Sequence, residues 1–152
     1  MEETASVLGR CTNGVLACLG DDNYPYAVPL SYVYHNEVIY FHSAKTGHKL
    51  DAIKKNPKVS FSVIDEDTIV SEEFTTYFRS VIAFGKARFV EGEEWMEAMK
   101  AIADKYSGDE PEEAKQKEIA GNPPVIVAID VEHLTGKEAI EYVKAKERNV
   151  ND

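Results

Sequence analysis

The chain has 152 residues, 43% of them hydrophobic and 29% charged, and its 27 acidic and 17 basic side chains give a formal net charge of −10. That length fits one domain with a core large enough to need no disulfide or metal staple, and the composition excludes a disordered or low-complexity chain. An acidic surface repels phosphate backbones and anionic headgroups, so neither nucleic acid nor a membrane is an expected partner.

No apolar run reaches the ~18–20 residues that a membrane-spanning helix needs, and the acidic start Met1-Glu2-Glu3 does not read as a secretory signal. Cys11 and Cys18 form no disulfide framework, and their C-x6-C spacing matches no common zinc pattern. Cys18 alternates with apolar residues as a buried thiol does, and a reducing, cytoplasmic setting is the expectation.

Residues 2–10 suit a short helix. Gly14–Gly20 reads as a strand, followed by a turn at Asp21-Asp22-Asn23. Tyr24–Tyr34 reads as a second strand with Tyr24, Tyr26, Val28, Leu30, Tyr32 and Tyr34 on one face at period two. Pro25 and Pro29 fall on the other parity; neither can donate to a ladder, which places this strand at an edge or beside a gap. His35-Asn36 turns the chain into a third strand, Glu37–Ser43. Thr46–Asn56 is a short helix stopped by Pro57.

Lys58–Ile64 is a strand with Val59, Phe61 and Val63 facing one way, and Asp65–Glu73 reads as an acidic loop. Thr75–Val90 is a long strand with a possible bend at Gly85. Gly92–Tyr106 is an amphipathic helix carrying the single tryptophan, Trp95, as a cap on the sheet. An acidic stretch, 107–122, holds a short helix at Glu112–Ile119; Pro124–Val131 is the last buried strand and Thr135–Lys146 a terminal helix. The first three strands follow too closely for parallel crossovers. The expectation is one domain, mainly β with peripheral helices, folded as a six-stranded antiparallel barrel, because closure removes sheet edges.

The charge is unevenly placed. Residues 45–58 hold five lysines against Asp51 alone, a net of +4, which leaves −14 elsewhere; residues 65–73 hold five acids and no base. The island begins where a strand gives way to a helix, at Phe41-His42-Ser43-Ala44-Lys45-Thr46-Gly47-His48-Lys49. A helix start offers unpaired N–H groups and the positive dipole end; hydroxyls and lysines beside it make the ingredients of a phosphate site. A plain solvated helix cap with surface lysines reads the same residues without a ligand. No G-x-x-x-x-G-K-[ST] or G-x-G-x-x-G occurs, so neither a P-loop nor a Rossmann fingerprint is present.

Four segments, Gly14-Val15-Leu16-Ala17, Tyr24-Pro25-Tyr26-Ala27-Val28-Pro29-Leu30, Val38-Ile39-Tyr40-Phe41-His42-Ser43-Ala44 and Gly47-His48-Lys49-Leu50, come in an order and spacing that resembles the FMN-binding split-barrel, or pyridoxamine 5′-phosphate oxidase-like, superfamily. Arg79–Ala87 and Thr135-Gly136-Lys137-Glu138 extend the likeness toward its nitroimidazole-resistance branch. The resemblance implies a six-stranded split barrel and a homodimer with FMN at the subunit interface. It implies that Val28, Pro29, Leu30, Ser31 and Tyr32 run beside the isoalloxazine ring. His42, Ser43 and Lys49 would hold the phosphate, with Ala44, Lys45 and Thr46 beside them, and Arg79, Ser80 and Val81 would approach from the other subunit. The chain lacks the basic pair before the helix and the C-terminal tryptophan and arginine of the oxidases proper, so vitamin B6 oxidation is not expected.

The leading expectation is a flavin-dependent reductase that takes hydride from NADH or NADPH and reduces a small acceptor of nitroaromatic or quinone type. His42 and Tyr32 are the acid–base candidates, with Tyr77 behind them. The tyrosines also suit an aromatic barrel surface or a dimer contact. The competing readings are a module that holds FMN without turnover and a haem- or deazaflavin-binding relative.

Overall fold

A computed structural model describes residues 2–121 and 123–151. Asn122, which ends the acidic stretch, and Met1 lie outside them. Helix α1 (Glu2–Arg10) leads into β1 (Asn13–Leu19), β2 (Pro25–Ser31), β3 (Val33–His35) and β4 (Val38–Ser43). Helix α2 (His48–Lys55) is followed by the long hairpin β5 (Lys58–Val70) and β6 (Thr75–Phe89). Helices α3 (Gly92–Ser107) and α4 (Glu112–Gly121), strand β7 (Val125–Glu138) and helix α5 (Ile140–Asn151) complete the chain. No helix among the described residues is long and apolar enough to cross a membrane.

All seven strands belong to one antiparallel sheet in the order β2-β1-β5-β6-β7-β4-β3. The expected count of six is corrected to seven because the Tyr24–Tyr34 segment is two strands, parted at Tyr32 and lying at opposite edges of the sheet. A flat sheet of seven strands would hold its edges ~29 Å apart at ~4.8 Å per strand. Here Ser31 and Val33 flank a single residue, a span of at most ~7.6 Å. The sheet therefore curls until its two edges meet at Tyr32, with no strand pairing across the split. The prolines lie where their missing donors do least harm, on the edge strand β2.

The curl encloses the main core. Leu16, Ile39, Phe41, Phe61, Val63 and Val81 point inward from four strands, and Val7 and Leu8 of α1 and Leu50 and Ile53 of α2 plug the ends. A second, smaller cluster lies outside the sheet, where Ala98 and Ile102 of α3 cover Tyr40, Ile126 and Ala128. Trp95 packs there, its indole N–H donating to the Pro124 carbonyl at 3.1 Å, as a cap does.

Three expected boundaries move. The β3–β4 turn centres on Asn36 and Glu37, both at positive φ (51° and 66°), which gives the backbone twist favoured in two-residue hairpins. Asp65–Glu73 is not a loop: β5 continues to Val70 past a bulge between Ile64 and Glu66, and only the 3-10 turn Ser71–Glu73 joins it to β6. The segment Pro124–Val131 extends to Glu138 because β7 pairs with β6 from Phe89 back to Arg79, and the last helix starts only at Ile140. The bend expected at Gly85 is a register shift between Phe84 and Gly85, where a Cβ would stand 2.1 Å from the Asp130 carbonyl oxygen.

Candidate functional site

The β4-to-α2 connection gathers the phosphate candidates. Ser43 ends β4 on the inward parity of Ile39 and Phe41, only 5% exposed, and its Oγ has no hydrogen-bond partner among the described residues. A buried hydroxyl without a partner is costly and rare in a folded protein. After the connection 44–47, α2 begins at His48. No side chain caps it at Gly47, and its first intrahelical bond joins the Asp51 N–H to the Gly47 carbonyl. The preceding N–H groups are the unpaired donors of a helix start. Lys45 and Thr46 are exposed in the connection and Lys49 is half-buried in the first turn. None of the lysines 45, 49, 54 and 58 has an acidic side chain within ion-pair distance among the described residues.

His48 pins this start against the sheet edge. Its ring meets Tyr26 of β2 edge-on, with centroids 4.5 Å apart, and its Nδ1 lies 3.7 Å from Asp21. The cradle thus sits beside the strand that carries Val28, Pro29, Leu30 and Ser31. Val28 and Leu30 pack inward, whereas Pro29 and Ser31 are exposed, and β2 has a pairing partner on one side only.

Not every candidate converges there. His42 is exposed, and in an extended strand it faces away from its neighbour Ser43. Tyr32 is 1% exposed; its hydroxyl donates to the Leu8 carbonyl at 2.6 Å, its ring meets Phe61 edge-on, and burial raises its pKa far above the ordinary phenol value. Tyr77 donates to Glu73 on the hairpin, away from both.

Arg79, Ser80 and Val81 line a separate cleft of about 250 Å³ with Glu3, Gly136 and Glu138, and no residue of β2, β4 or α2 contributes to it. Arg79 is already engaged: its guanidinium lies 3.3 Å from both Asp65 and Glu138 and 3.7 Å from Glu3, and it stacks over Tyr142. Asp65 also accepts from Arg10 and, at 3.5 Å, from the Cys11 thiol; the Arg10 hydrogen bonds, with Arg79 adding, hold its carboxyl down to about 2. Sequence alone gave no sign of Asp65 as an anchor, because its partners lie 55 and 14 residues away.

Lys105 and Tyr106 on α3 were equally silent. The Lys105 ammonium lies 4.4 Å from the centre of the Tyr32 ring and donates to the Cys11 and Tyr32 carbonyls, and burial lowers its pKa. The Tyr106 hydroxyl accepts from the Tyr32 N–H at 3.0 Å and lies 2.5 Å from the Tyr32 carbonyl. Together they supply the hydrogen bonds that the split denies to the link residue.

A family model described as pyridoxamine 5′-phosphate oxidase matches residues 1–138. No curated protein matches. Among solved structures, a candidate 5-nitroimidazole antibiotic resistance protein from Bacteroides thetaiotaomicron is 22% identical over 89% of this chain and 81% of its own, with a TM-score of 0.71. An FAD-binding protein from Mesorhizobium loti is 26% identical over 91% of this chain and 94% of its own, at 0.62. A haem storage protein from Vibrio cholerae shares the fold at 14% identity, covering 88% and 89%, at 0.64. With the family model spanning most of its length, the chain belongs to the pyridoxamine 5′-phosphate oxidase-like family.

Proposed function

We propose that this protein binds FMN and acts as an NAD(P)H-dependent reductase of small organic acceptors, of nitroaromatic or quinone type. One observation carries the cofactor reading: among the described residues the buried Ser43 hydroxyl lacks a partner, beside an uncapped helix start where Lys45 and Lys49 have no acid within ion-pair distance. A phosphate monoester supplies the acceptor oxygens that this set lacks, and it favours the helix dipole. The island is compact, which suits the single phosphate of FMN better than the extended tails of FAD or a deazaflavin. An FAD-binding relative supports a flavin in general.

In this reading Ser43, Thr46 and Lys49 bind the phosphate and Lys45 adds charge. The exposed edge of β2 from Val28 to Ser31 offers backbone groups to the isoalloxazine ring, with Tyr32 fixing where that strand ends. FMN held there would supply the hydride-accepting and electron-donating chemistry between a reduced pyridine nucleotide and a small acceptor, and these residues would supply its binding and orientation. Proton delivery falls to solvent or to a group other than Tyr32 and His42, since Tyr32 is sealed in the core and His42 faces away from Ser43.

We further propose a homodimer in which Ser80 reaches the partner's flavin, with Arg79 holding the end of β6 through Asp65 and Glu138; Val81, expected beside them, is buried in the core of its own chain. The free thiols Cys11 and Cys18 suit a reducing cytoplasm.

The test is a fluorescence titration of the purified protein with FMN and with FAD. FMN should bind more tightly, and Lys49→Ala should weaken FMN by ~1.5–3 kcal/mol, the scale of a charge-assisted hydrogen bond. No binding, or an unchanged affinity in the variant, removes the assignment. The second reading, storage without turnover, is favoured by the burial of Tyr32 in the core and by His42 facing away from Ser43. Anaerobic mixing of the FMN-loaded protein with NADH or NADPH decides between them: bleaching of the flavin bands is expected of a reductase and not of a store.

A further inference from the structure

Strand β7 is flanked on both sides only over its first half. β4 pairs with it as far as Asp130, which opposes Val38, just after the β3–β4 turn at Asn36 and Glu37. From Val131 onward its ladder runs with β6 alone, and among the described residues no backbone hydrogen bond reaches the far side of residues 131–134. The sheet is therefore open between the turn and β7, and Ala5 of α1 borders the opening. The result is a cleft of about 360 Å³, larger than the 250 Å³ cleft beside Arg79. Barrel mouths are a common place for small-molecule sites, and this volume lies in their usual range.

The lining has two parts. Tyr34, Val131 and Leu134 form the floor; each is half-buried and packs against the main core. Burial, and after it the Glu37 carboxylate, raises the Tyr34 pKa above the ordinary phenol value, so its ring stays neutral. Glu37 and Glu132 stand exposed at the rim. A bulge sets Glu132 there: Val131 pairs with Gly85 and His133 with Phe84, which leaves Glu132 as the extra residue of the ladder. Bulges re-aim a side chain and are frequent beside active sites. Glu37 has no ion-pair partner among the described residues. Glu132 has only Lys86, at 3.9 Å with both ends more than half exposed, a pairing that contributes little.

This lining selects a class of ligand. An anion would meet two carboxylates. A metal ion requires several ligating groups close together, and no such group of three occurs among the described residues. A cation on an apolar body meets both parts: the ring and aliphatic floor take the body, and the carboxylates accept from an ammonium. We propose that the cleft between the β3–β4 turn and β7 binds a small organic amine in its protonated form, with its apolar body on Tyr34, Val131 and Leu134 and its ammonium between Glu37 and Glu132. The inference rests on neither the flavin nor the two-copy reading.

Isothermal titration calorimetry of the full chain near neutral pH tests it, with phenethylamine as the probe and 3-phenylpropionate as the anion with a matching body. Phenethylamine should bind with a dissociation constant below about 1 mM, and 3-phenylpropionate at least about 10-fold more weakly. The double variant Glu37→Gln, Glu132→Gln should weaken the amine about 10-fold, with circular dichroism to confirm folding; both positions are exposed, so the fold does not depend on them. Glu110→Gln with Glu113→Gln removes the same charge from the exposed acidic stretch and should leave the affinity unchanged. No binding of phenethylamine, equal binding of the anion, or the same loss in both double variants overturns the proposal. Saturating FMN should not displace the amine; displacement would put the amine in the flavin cradle and overturn this site while leaving the flavin reading intact.

Discussion

Single side chains decide whether the cradle is a site or only a bend in the chain. Ser43 is buried with an unpartnered hydroxyl, so removing that hydroxyl should act in opposite directions on the empty and loaded protein. Ser43→Ala should leave the flavin-free protein unchanged or up to ~1 kcal/mol more stable, because an unsatisfied buried group is deleted, and should weaken FMN by about 1 kcal/mol. Thermal melts with and without FMN check both signs. Tyr32→Phe gives a contrasting case. It breaks a satisfied buried bond and leaves the Leu8 carbonyl alone, so it should cost about 1–2 kcal/mol in urea denaturation while changing FMN affinity little. The residue types of the cradle were legible in the sequence. Their facing was only partly so: strand alternation separates His42 from Ser43, but no local pattern reveals that Tyr32 is where the sheet divides. That depends on Lys105 and Tyr106, more than 70 residues away.

At the level of elements, alternating apolar residues mark the strands but not the break at Tyr32, and a strand is hidden where acids interrupt the pattern. Residues 65–70 lack an apolar face and so resemble a loop, yet they form a strand because Arg10 and Arg79 neutralise Asp65 and because Thr68, Ile69 and Val70 pair with residues 75–77. The end of β7 was missed for a similar reason, since its ladder with β6 and not its own sequence sets its length. The bulge makes a prediction about acid. Asp65 is held to about 2, chiefly by Arg10, and Glu94 to about 2, chiefly by Arg88. Both pKa values are depressed in the fold, so their stabilisation is complete above the ordinary carboxylate range near 4 and is lost as pH falls toward 2. Asp65→Asn should therefore be less stable than wild type at neutral pH, by about 2 kcal/mol, and the gap should narrow by about pH 3. Urea midpoints at the two pH values measure this.

Over the whole molecule, the net charge of −10 divides into a +4 island at residues 45–58 and −14 over the rest. The fold class and the order of elements could be read from the sequence, while the seventh strand and the curl could not, because both follow from Tyr32 joining strands at opposite edges. That one-residue link also bears on solubility. An open seven-stranded sheet would present two free edges to other chains, each a template for runaway strand addition. Here the edges are turned toward one another, one carries Pro25 and Pro29, and the seam is plugged by the Lys105 ammonium and the Tyr106 hydroxyl. Lengthening the link by a few flexible residues should let the seam part, and aggregation on gentle warming, well below the unfolding transition, is the expected result.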